Sequence, residues 1–121
     1  MPTTLEGTQQ VIKRQVDLNQ LVIVCFEMNL VRYNTNANAH ADRFYTAQPG
    51  FGHFVIVKGY KIVDNKLWYE VYDPNSFTAT YTDNVYKGKD RYYRSEDIYE
   101  ASKNWWPKIF LVAKKGATVI E

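Results

Sequence analysis

Cysteine is nearly missing from this chain: Cys25 is the only one in 121 residues, which excludes an intramolecular disulfide framework and any multi-cysteine metal site. Long apolar runs are missing as well. No stretch approaches the roughly 18 residues of a membrane-spanning helix, and Met1-Pro2-Thr3-Thr4-Leu5-Glu6 lacks the basic-then-apolar order of a secretory signal. The expectation is a chain that is cytoplasmic as encoded, or one from which an export segment has been removed. An excess of one charge is also lacking, since 15 basic residues face 13 acidic ones for a formal net charge of +2, and the two signs are interspersed. So weak a field points to neither nucleic acid nor an anionic membrane as partner. The length fits one domain over residues 1–121, able to bury about two-thirds of the unfolded chain's surface.

What is present is a series of short periodic segments. Residues 5–19 read as a helix: Thr3-Thr4-Leu5-Glu6 forms a capping box, in which the Thr3 hydroxyl and the Glu6 carboxylate satisfy orphan amides. Val11, Ile12, Val16 and Leu18 make its narrow apolar stripe. Residues 21–28, "LVIVCFEM", form a β-branched run apolar on both faces, which predicts an interior strand covered on both sides. Residues 34–51 are rich in turn formers and read as a long loop of the kind that serves as a lid or moves. A β-hairpin follows, turning at or near Val63-Asp64-Asn65-Lys66. Residues 74–94 read as a looser, tyrosine-rich stretch with "YKGKD" at its tip. Ser95 caps a short helix with Glu96 and Asp97 in its first turn, Pro107 ends it, and residues 109–113 form the last strand. This order of elements predicts an α+β fold with a mainly antiparallel sheet.

The hairpin carries the candidate chemistry. Alternation sets His53, Val55 and Val57 on one face of the first strand, while Leu67, Tyr69, Val71 and Asp73 share a face of the second. A tight two-residue turn at Asp64-Asn65 offsets Asp73 by about three residues from the position opposite His53, and a three-residue turn or a bulge at Gly59 is expected to bring them level. A carboxylate beside an imidazole fixes its tautomer and raises its basicity, which is two-thirds of a catalytic triad. A structural alternative stands beside it: a satisfied rim histidine, and an Asx-turn aspartate ahead of Pro74.

Other constellations carry less. His40, Asp42 and His53, with Glu27 as a fourth ligand, lack any recognised metal spacing and read as solvated loop residues. Trp105-Trp106 and Tyr92-Tyr93 suggest stacking on bases or sugars, but without a basic groove they read as core plus interface. Gly50, Gly52 and Gly59 are too scattered for a phosphate loop. No cofactor is expected.

Gly52-His53-Phe54-Val55-Ile56-Val57-Lys58-Gly59-Tyr60, followed by Tyr72-Asp73-Pro74-Asn75, resembles the histidine and aspartate motifs of papain-like cysteine peptidases. The closest type is the bacteriocin-processing peptidases that cut after double-glycine leaders. "LNQLVIVCFE" is similar to that family's strand before the histidine, and "SEDIYEASKNWWPKIFLVAKK" to its closing helix and strand. The resemblance implies a papain-like half-domain in which His53 is the general base and Asp73 its orienting partner. It also implies a nucleophilic cysteine at the start of an upstream helix, preceded by an oxyanion-hole glutamine. This chain has no cysteine there, and residues 5–19 correspond to the family's linking helix, so the nucleophile-bearing half is expected to be absent.

Cys25 lies within an apolar strand, where a thiol behaves as a small buried hydrophobe with a raised pKa. The leading expectation is thus an incomplete or degenerate peptidase-like module that binds a peptide or protein. With the first helix shielding one sheet face, the last helix, a homodimer or a complementing chain would cover the second. The alternative is an active cysteine peptidase or amide hydrolase, with Cys25 or a cysteine from another chain or segment as nucleophile. A third reading is an immunity or assembly protein that uses the surface between Tyr81 and Tyr93.

Overall fold

In the computed structural model, which describes residues 2–46 and 52–112, Thr4 rather than Thr3 starts the first helix. Thr4 is extended, and its hydroxyl accepts from the Gly7 amide at 3.0 Å. Counting from Thr4, the capping-box position falls on Gly7, so Glu6 supports the helix only through its charge in the first turn. Helix α1 (Leu5–Asp17) buries Thr8, Ile12 and Gln15. The expected stripe is half realised: Ile12 is fully buried and Val16 packs against the core, whereas Leu18 lies beyond the helix and is exposed. The Gln15 side-chain amide instead donates to the Val112 carbonyl at 3.1 Å, tying α1 to the last strand.

Strand β1 (Leu21–Glu27) is followed by a 3-10 turn (Met28–Leu30), then β2 (Gly52–Val63), β3 (Lys66–Tyr72), β4 (Arg91–Arg94), helix α2 (Ser95–Lys103) and β5 (Ile109–Val112). The fold is α+β. Its five strands form one antiparallel sheet in the order β4-β3-β2-β1-β5. Asp64 and Asn65 take φ of 51° and 61°, the two left-handed residues of the tight turn whose twist matches a hairpin. Strand β4 lies where a looser stretch was expected, because Arg91 and Tyr93 alternate inward with Tyr92 and Arg94 outward over only four residues. Ser95 is the first residue of α2 rather than its cap. Its hydroxyl accepts from the Gln9 side chain of α1 at 2.8 Å, so it joins the helices.

Val22, Val24, Phe26, Val55, Val57, Tyr69, Val71 and Tyr93 face Ile12 of α1 and Ile98 and Ala101 of α2 in one core. Each such side chain, buried, stabilises by roughly 1.5–3 kcal/mol. Both helices therefore lie on one side of the sheet. Strand β1 is interior, between β2 and β5, but the expected cover on its second face is not supplied by a helix among the described residues. Phe54 is 58 % exposed there, and Tyr72 and Phe110 are each 47 % exposed. At one corner the Trp105 ring packs against Gly52, where an added Cβ would lie 2.4 Å from it and would have to displace the ring. Of the long loop, residues 34–46 are irregular, closed by an Asn34↔Arg43 bridge; residues 47–51, with Gly50, and Ala113 of the last expected strand lie outside the described residues.

Candidate functional site

The β2–β3 register runs from Val63↔Lys66 to Gly59↔Glu70, then resumes as Val57↔Val71 and Ile56↔Tyr72. Lys58 is the extra residue of a bulge beside Gly59. Its effect differs from the one expected: it moves the register by one, bringing Asp73 level with Val55 rather than with His53. The parity change is what matters. Without Lys58, Asp73 would share a face with Phe54 and Ile56; with it, Asp73 and His53 both point to the helix-covered side.

The two side chains meet on the diagonal, with His53 Nε2 2.8 Å from Asp73 Oδ1. Both are buried, His53 edge-on to Phe26, its direct neighbour on β1. Asp73 Oδ1 also accepts from the Asn75 amide at 3.0 Å, so the Asx turn and the imidazole pair coexist on one oxygen. Its Oδ2 accepts from the hydroxyls of Tyr93 at 2.6 Å and Tyr45 at 3.1 Å, and from Arg91 Nη1 at 3.2 Å.

Arg91, fully buried, continues the network inward. Its Nε donates to the Tyr81 hydroxyl at 3.2 Å, and that hydroxyl donates to Asp42 Oδ1 at 2.8 Å. Tyr93 plays the equivalent part on the other side, accepting from Arg91 Nη1 and donating to Asp73. Lys87 completes the chain by donating to Asp42 Oδ2 at 2.7 Å. Two carboxylates are thus balanced by two cations.

Burial alone would raise the Asp73 pKa, but hydrogen bonds from His53, Tyr93 and the Asn75 amide hold it below the ordinary aspartate value. Burial, and then the Asp73 charge, push the Tyr93 and Tyr45 hydroxyls upward, so both stay protonated donors. Because an ionised carboxylate only accepts, His53 Nε2 carries the proton donated to Asp73.

Cys25 does not join this site. It pairs with Phe54 while its neighbour Phe26 pairs with His53, so its thiol lies on the opposite face of the sheet. The thiol is buried, and burial pushes its pKa up. The residues weighed as a metal set are also dispersed. His40 stacks on Tyr81 at 3.9 Å and bonds the Asp90 carbonyl and Asp83, Asp42 belongs to the Arg91 network, and Glu27 lies at the end of β1. Among the described residues no group of three such side chains comes together. Tyr45, Asp42, Arg91 and Tyr93 are partners that sequence reasoning missed. Only the alternation in Arg91-Tyr92-Tyr93-Arg94 offered a signal. No family model matches this chain, and no curated protein or solved structure matches it.

Proposed function

We propose that this chain is an incomplete cysteine-peptidase-like module that binds a polypeptide partner. The observation carrying the proposal is the sheet face that no helix among the described residues covers. Phe54, Tyr72, Phe110 and the flanking Trp105 and Trp106 each expose between 41 % and 58 % of their surface. With about 200 Å² per ring, that is roughly 500 Å² of aromatic surface, at the upper end for a monomer. A standard interface buries about 800 Å² per partner, so the patch and its rim suffice for a second copy or a complementing chain. The His53–Asp73 pair supports the peptidase-like part of this reading, and the place of Cys25 across the sheet supports the incomplete part.

A second reading keeps catalysis but takes the nucleophile from another chain or segment. It is favoured by the 2.8 Å bond that orients His53. Sedimentation tests the self-association that the first reading draws on. A dimer that Phe54→Asp dissociates while the fold is kept places the partner on this face, whereas a monomer in both proteins contradicts self-association.

A further inference from the structure

A second polar region lies away from the His53 pair, between the loop that follows the 3-10 turn, strand β4 and the start of α2. It is a cavity of about 310 Å³, within the usual range for a small-ligand site. Its walls include Arg32, Arg43 and Arg94, the flat rings of Tyr33 and Trp68, and a single carboxylate, Asp97.

The arginines are underused. Arg43 is only 5 % exposed, yet among the described residues its guanidinium donates one hydrogen bond, from Nη1 to the Val31 carbonyl, and no carboxylate forms an ion pair with it. Among the described residues the Nε–H groups of Arg43 and Arg94 are both buried without a hydrogen-bond partner. Arg94 spends Nη2 on Glu96. Arg91, by contrast, is held between two carboxylates and two tyrosine hydroxyls. A buried guanidinium with no counter-charge is costly. Arg43 is such a group, and it lines one cavity with Arg32 and with Arg94, which is itself paired with Glu96; together their guanidinium groups suit a planar or tetrahedral oxyanion.

We propose that this cavity binds an oxyanion, carboxylate or phosphate, carried on a small ligand whose flat apolar part lies against Tyr33 and Trp68. The two sources share one chemistry, and a pair of probes with the same ring distinguishes them. Phenyl phosphate and benzoate are titrated separately into isotope-labelled protein, and the arginine Nε–H resonances are followed in proton–nitrogen correlation spectra. The Arg43 and Arg94 signals shift and saturate, with an apparent Kd at or below about 1 mM, while that of Arg91, sealed in its own network, stays still. The tighter probe identifies the group.

Arg32→Ala, at an exposed position that the fold does not depend on, weakens binding about tenfold. Asp97→Asn removes the only acidic wall and tightens it several-fold. If neither probe saturates by about 10 mM, or if both variants bind like the parent, the inference is overturned.

Discussion

The two faces of the sheet are built from similar residues to opposite ends. On one, Val22, Val24, Phe26, Val55, Val57 and Val71 disappear beneath both helices, and His53 and Asp73 close that layer at the β2–β3 rim. On the other, Phe54, Tyr72 and Phe110 remain about half exposed. Alternation along a strand sends neighbours in sequence to different environments. Cys25 and Phe26 are adjacent, but only Phe26 touches His53. The lesson is that a thiol and an imidazole on paired strands form a catalytic couple only when their parity agrees, and here it does not.

The largest break in this comparison comes beneath the covered face. Arg91→Ala leaves Asp73 and Asp42 without their shared cation, and the expected loss is about 3–5 kcal/mol, read by chemical denaturation. Phe26→Ala and Phe54→Ala sharpen the contrast directly. The first opens a cavity against His53 and costs about 3–5 kcal/mol, while the second changes the stability of the isolated chain by roughly 0.5 kcal/mol or less. Equal costs would mean that the two faces do not differ as described.

The smallest effect is a pH dependence. The Asp73 pKa is depressed in the fold, so its contribution is present above the unfolded value of about 3.9. It is lost as pH falls through the lower folded value. Denaturation midpoints measured downward from about pH 5 should therefore decline more steeply in the parent than in Asp73→Asn.

Much of the architecture was legible because it depends on local pattern. The β-branched run of β1, the Asp64-Asn65 turn and the order of helices and strands follow from periodicity and turn chemistry. Gly59 marked the bulge, although its effect on register had to be counted on the paired strands, since one extra residue alters parity as well as position. Strand β4 was obscured by its length. The partners of the site were least legible: Tyr45 and Asp42 come from an irregular loop, and only packing against Arg91 and Asp73 brings them in. Whether helices cover one or both faces was equally hidden, because it depends on where α1 and α2 meet each other.

The separation at stake is that of His53, held by Asp73 on the helix-covered face, from Cys25, the chain's single cysteine, across the sheet. Its most direct test is the alkylation rate of Cys25 as a function of pH, in the parent and in His53→Ala. Slow reaction is expected in both, with no thiolate character below the ordinary thiol pKa of about 8.5. Fast reaction at neutral pH that vanishes in His53→Ala would show a Cys25–His53 pair, and would contradict the placement of the two residues on opposite faces of the sheet.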